Sequence, residues 1–258
     1  MSRGSRTPRA VCRWVATGLL SWLAGVGLDI YVGTLTRYYL DDWQTIIQQT
    51  ATAADPVLLI SPELRRIDDD PRRVLDRVLA WRSALEDDLR NKGQLPEPFD
   101  WLEDRGRPYF TDKPGWDVFG ALVLLAAYTD AGKPVPRQLP QDWEGDPVLL
   151  EVFQSSTAAY WSLYFTELWF PVSDMVVFKA VTLRNKPVLV ASVSWLRHHL
   201  TELNARTLQG NAEDLAGWDR KGPTAGGSVL DLARAGLAMT LRLAREAEKN
   251  DLPMLLDY

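Results

Sequence analysis

The clearest change of hydrophobic period lies near the start of the chain. Leu28, Ile30 and Val32 alternate with Asp29, Tyr31 and Gly33, the period of two expected of a strand with one buried face. Arg37-Tyr38-Tyr39 then reads as an exposed polar and aromatic corner. Asp41-Asp42 precedes an apolar-periodic run, where an N-cap belongs. The expected order is strand, corner, then a helix through Trp43, Ile46 and Ile47 that fades by Thr52.

Further along, Val57–Ile60 is a short apolar run suited to a buried strand, and Ser61-Pro62-Glu63 opens a turn. Asp70-Pro71 starts a helix, a capping acid followed by proline at the first helical position. Its apolar stripe is Val74, Leu75, Val78, Leu79, Leu85 and Leu89, and Gly93 stands at the C-terminal stop. Residues 94–115 are rich in proline but carry Phe99, Trp101, Tyr109 and Phe110, so they predict a loop folded onto the body, or a hinge. Trp116–Tyr128 is apolar on every side and predicts a buried central helix, too short to span a membrane.

A second proline-rich passage, residues 132–147, leads into a helix from Val148 to about Gln154. Tyr160–Pro171 is the most aromatic stretch and reads as helix or irregular core. Val176–Leu183 and Val188–Val193 predict a hairpin across Arg184-Asn185-Lys186. Ser192 or Ser194 then caps a helix with Leu196, Leu200 and Leu203 on one face. A polar, glycine-containing segment separates this from a last helix starting at Ser228. There Leu230, Ala233, Leu237, Leu241 and Ala244 are expected inward, and Arg234, Arg242, Arg245 and Glu248 outward. Pro253–Leu256 is expected to add an edge strand.

Charge divides the chain unevenly. The first 25 residues hold four of the 29 basic side chains and none of the 34 acids, so the remainder carries 25 against 34, a net −9. A body of that sign repels phosphate backbones and argues against nucleic-acid binding; a basic protein partner is attracted instead. The arginines precede an apolar run from Trp14 to Leu28, the layout of a leader or anchor. Val26 is a possible alternative start, which would make residues 1–25 a mis-assigned extension. The single cysteine, Cys12, leaves no intramolecular disulfide framework and fits a reducing, cytoplasmic compartment; export or membrane anchoring is the alternative if residues 1–25 act as a leader.

Little in the sequence names a chemistry. It lacks a phosphate-binding loop, a Gly-x-Ser-x-Gly elbow, a His-Glu-x-x-His helix and paired cysteines. The two histidines, His198 and His199, are neighbours on one predicted helix, diverging by about 100°, and read as structural. Asp68-Asp69-Asp70 and Asp87-Asp88 read as solvated or capping charge, not as metal ligands. The glycine loop feeding Ser228 lacks the spacing of an anion-binding motif. No cofactor is indicated. What remains is the corner itself: Asp29, Tyr31, Arg37, Tyr38, Tyr39 and Asp42 could hold a polar ligand or do acid–base work, or simply pack with Arg37 paired to an acid.

The expectation is an α+β, helix-rich fold with a small mixed β-sheet and a buried central helix. Residues 26–258 would form one domain, with a possible division into two lobes within 94–147. Acidity, aromatic content and the lack of catalytic motifs suggest a soluble bacterial interaction protein of the immunity or antitoxin kind. The alternative is a small-ligand-binding protein or enzyme using the Asp29–Asp42 corner.

Overall fold

The computed structural model describes residues 27–50, 66–93, 98–155, 158–164, 166–173, 176–224 and 226–258. The N-terminal extension, the Val57–Ile60 strand and the Ser61–Glu63 turn lie outside them. The fold is α+β and helix-rich, built on one six-stranded mixed sheet.

In chain order the elements are β1 (Asp29–Val32), α1 (Leu35–Tyr39), α2 (Ile46–Thr50), α3 (Pro71–Asn91), β2 (Phe110–Asp112), α4 (Gly115–Asp130) and α5 (Pro147–Gln154). There follow α6 (Trp161–Tyr164), β3 (Thr166–Phe170), β4 (Val177–Val181), β5 (Pro187–Ser192), α7 (Val193–Arg206), α8 (Ala212–Lys221), α9 (Val229–Lys249) and β6 (Met254–Asp257). The spatial strand order is β2-β1-β6-β3-β5-β4, antiparallel throughout except for the parallel β3–β5 pair.

Period-two alternation sorts side chains to two covered faces. Ile30, Val32, Trp169, Ala191 and Met254 face a core shared with α4, α7 and α9. Tyr31, Leu168, Phe170, Phe178, Val190 and Leu255 face a second core completed by α1, α3 and the segment Phe99–Trp101. β1 is therefore buried on both faces, not on one. β6, expected at an edge, lies between β1 and β3 in the interior of the sheet. β3 was legible only as an aromatic stretch. A strand covered on both sides shows no apolar–polar alternation, which is why its sequence did not declare it.

Several local signals act as their chemistry requires. The Asp70 side chain accepts from Arg72 N–H ahead of Pro71, and Gly93 follows the end of α3 with φ +64°. Asn185, at φ 60°, turns the β4–β5 hairpin. Ser228 and Asp231 cap α9 reciprocally. The same device, Asn211 with Asp214, starts α8 within what reads in sequence as a polar connection. Two stripes are narrower than expected, since Leu79 of α3 and Leu230 of α9 are exposed.

α4 is buried continuously from Gly120 to Ala127, as the apolarity of that stretch requires, and crosses α9 closely. The close approach depends on Gly236. A Cβ there would stand 2.9 Å from the Val118 carbonyl oxygen and 3.1 Å from Val118 Cγ1. A backbone atom cannot rotate away, so Gly236→Val is expected to destabilise by about 2–3 kcal/mol through overpacking. A shift in the urea midpoint at unchanged slope would measure it; an unchanged midpoint would mean that the two helices can slide apart freely. Among the described residues, no helix is long and apolar enough to cross a membrane.

Candidate binding cleft

The strand-to-helix corner is not an exposed turn. Thr34 caps α1, its hydroxyl accepting from Arg37 N–H at 3.3 Å, so Arg37-Tyr38-Tyr39 is helical. Tyr38 and Tyr39 are only 6 % and 2 % exposed. Five residues cannot sustain a helix alone. Burial of Leu35, Tyr38 and Tyr39 holds it, and so does the buried Glu103 carboxylate. Glu103 accepts from Thr36 N–H at 2.8 Å and from Trp101 Nε1 at 2.8 Å. Gly33 has a steric purpose: the Tyr31 ring folds back over it, and the Tyr31 hydroxyl donates to the Thr34 carbonyl at 3.0 Å.

The six corner residues do not converge. Asp29 lies 3.9 Å from Lys113 Nζ at the start of β1. Tyr31 enters an aromatic group with Tyr38, Trp43 and Tyr109. Among the described residues Arg37 is not paired to an acid: its guanidinium lies over the Tyr109 ring at 4.8 Å and donates to the Arg105 carbonyl. Asp42 is not an N-cap, because α2 begins four residues later, where Thr45 and Gln48 bond reciprocally. Asp42 instead accepts from Arg105 Nη2 at 2.5 Å, a half-exposed pair worth about 0–1 kcal/mol.

Tyr38 and Tyr39 alone reach a site. They form one wall of a cleft of about 110 Å³ whose other walls include Glu167, Thr182, Arg184, Lys186, Asp257 and Tyr258. The β4–β5 turn brings Arg184 over both tyrosine rings, 5.4 Å from each centroid. Asp257 arrives on β6, and Tyr38 donates to its Oδ1 at 2.7 Å. Lys186 Nζ donates to Glu167 Oε2 at 2.6 Å and to the Tyr258 hydroxyl at 2.7 Å. Two cations and two carboxylates thus share the cleft with three phenols.

Burial and the neighbouring Asp257 carboxylate push the Tyr38 phenol well above the ordinary tyrosine range. Burial also raises Tyr39, against the opposing field of Arg184. Burial, with the Glu167 charge, raises Tyr258. All three phenols therefore stay protonated and serve as hydrogen-bond donors, not as bases.

Sequence reasoning did place Arg184 and Lys186 beside a hairpin turn. No local signal could join that turn to α1 and β6, which lie more than a hundred residues earlier and about seventy later. Glu167, Thr182, Asp257 and Tyr258 carried no signal at all.

The other sequence candidates resolve into structure. Asp68 accepts from Asp70 N–H and from Arg73, which together hold its carboxyl below the usual range. Asp88 pairs with Lys92, and Asp87 with Arg90. His198 lies 4.0 Å from Glu202. His199 is buried, with Nδ1 2.6 Å from the Ser162 hydroxyl, a partner that its sequence neighbours do not reveal. Ser162 is wholly buried, so no substrate reaches this pair. Among the described residues, no group of three or more His, Cys, Asp or Glu side chains is placed to hold a metal ion.

No family model, curated protein or solved structure matches the chain.

Proposed function

We propose that this chain is a binding protein for a small polar ligand, held in the cleft between α1 and the β4–β5 turn. The observation that carries the reading is the meeting of buried Tyr38 and Tyr39 with Arg184 and Lys186 across an open space. Aromatic walls with a few convergent polar groups are what ligand sites are made of. The volume, about 110 Å³, falls well below the roughly 300–1,000 Å³ of clefts that take drug-sized molecules. The ligand is accordingly small. No cofactor is part of this reading, and the single cysteine supports a reducing, cytoplasmic setting.

The competing reading, capture of a basic protein partner by an acidic surface, has support in composition. On the surface, however, many acids are already neutralised locally: Asp69 by Arg66, Asp68 by Arg73, Glu151 by Lys133, and Glu248 by Arg197. Those pairs contribute nothing to such a capture, and the excess of acids is spread over the sequence without one cluster to receive the partner. The cleft is favoured because it gathers named side chains at one place.

Native mass spectrometry of protein purified gently from its own lysate tests both readings. The expected result is a small-molecule increment on the wild type that disappears in the Arg184→Gln, Lys186→Gln double variant. A stoichiometric protein partner released by salt, with no small increment, would replace the cleft reading with the interaction reading.

A further inference from the structure

We infer that the ligand of this cleft is a small monoanionic oxyanion, a carboxylate for preference, whose negative charge supplies the counter-ion that Arg184 lacks; the inference rests on the cleft being the binding site. The argument begins with the guanidinium. Arg184 has no carboxylate within ion-pairing distance among the described residues, and the two acids of the cleft are engaged elsewhere, Glu167 with Lys186 and Asp257 with Tyr38. Its Nε and Nη2 are buried with no hydrogen-bond partner, closed off beside the rings of Tyr38 and Tyr39. Arg184 lines the cleft, so a ligand held there meets its guanidinium. Guanidinium donors left unmade in a partly buried place are costly, and a charged acceptor is the partner that offsets them best.

The remaining walls decide which anion. Glu167 is taken up by Lys186, and Asp257 accepts from Tyr38, so neither of these contacts goes to Arg184. One added negative charge is met by Arg184. A second would lie beside two carboxylates with no cation to spare, because Lys186 is already bound to Glu167 at 2.6 Å. A dianionic phosphate is thereby disfavoured against a carboxylate. An amino acid zwitterion satisfies the same condition, since its ammonium faces Glu167 or Asp257 without adding net charge. Size agrees, because the cleft admits a molecule of a few heavy atoms.

Amide NMR of the isotope-labelled full chain tests this with four probes: acetate, glycine, inorganic phosphate and acetamide, the last an uncharged isostere of acetate. Acetate and glycine are expected to shift the amides of residues 182–186 and 188 saturably, and acetamide is not. Arg184→Gln should weaken acetate binding about tenfold or more, while Arg184→Lys, which keeps the charge, should retain part of it. If Arg184→Gln disturbs the native spectrum, Arg184→Lys carries the test alone: it keeps the charge but not the planar fork, and acetate binding as tight as in the wild type would overturn the assignment to Arg184.

Acetamide binding as tightly as acetate at the same amides would overturn the oxyanion inference and leave the cleft reading standing. Phosphate binding more tightly than acetate near neutral pH would overturn the choice of a monoanion. Silence of those amides toward all four probes would sink the inference and the cleft reading together.

Discussion

Replacing Phe170 by alanine is expected to lower the stability of the fold by about 3–5 kcal/mol, the range for removing a phenyl group from a packed core. Phe170 is fully buried at the end of β3 and forms the centre of the second core. Its ring lies 4.7 Å from Trp101, 5.1 Å from Phe99, and 6.0 Å from both Phe178 and Trp81, centroid to centroid. Those partners come from the 98–103 segment, β4 and α3. One side chain therefore ties together three stretches that sequence periodicity treats as separate. The cavity left by alanine has rigid aromatic walls that collapse poorly, which places the expected loss high in the range. Urea unfolding reads the effect as a lower midpoint at an unchanged slope. Leu102→Ala is the matched control, since Leu102 is 62 % exposed and its loss should stay within about 0.5 kcal/mol. Equal effects of the two changes would mean that the aromatic segment does not pack on β3.

The second large effect is a pH dependence centred on His199. Burial, reinforced by the adjacent His198, lowers its pKa to about 4 from an ordinary value of 6.5. The neutral imidazole packs edge-on against Tyr160 and Trp161, with Ser162 at Nδ1. Because the folded value is the lower one, the unfolded chain takes up a proton between pH 6.5 and 4 that the native chain does not. The stabilisation is fully present above about pH 6.5 and is lost as the pH falls toward 4, below which both states are protonated. At about 1.4 kcal/mol per pH unit the loss is about 3 kcal/mol. Other groups titrate in the same window, so the comparison is between wild type and His199→Asn. The wild type should lose about 3 kcal/mol more than the variant across that window, and parallel stability curves would refute the assignment. His199→Asn should itself be less stable near neutral pH, because it gives up the aromatic packing.

The corner shows how an accurate local reading can mislead about a site. Asp29, Tyr31, Arg37, Tyr38, Tyr39 and Asp42 are close in sequence, yet they point to at least four different surroundings. Asp29 meets Lys113 and Asp42 meets Arg105, while Tyr31 joins the aromatic group beside Gly33. Only Tyr38 and Tyr39 face the cleft. Strand alternation already separates Tyr31 from Ile30, and a helix turns its successive side chains by about 100°, so a contiguous run through both elements cannot aim all its polar groups at one point.

By itself the sequence determined the elements whose signals are local. Asp70-Pro71 and Ser228 started helices, the apolar Trp116–Tyr128 run marked a helix whose centre, Gly120–Ala127, is buried on all sides, and Arg184-Asn185-Lys186 turned a hairpin. Each depends on backbone groups and neighbours within a few residues, so each can be read without knowing the rest of the chain. Only the tertiary structure decided that β3 and β6 are interior strands, that the tyrosine corner is buried, and that Tyr38 and Tyr39 meet Arg184 and Asp257. The physical reason is the same in each case. Burial on both faces erases the alternation that announces a strand, and a cleft is assembled by packing residues that are distant in the chain, which leaves no period or spacing in the sequence.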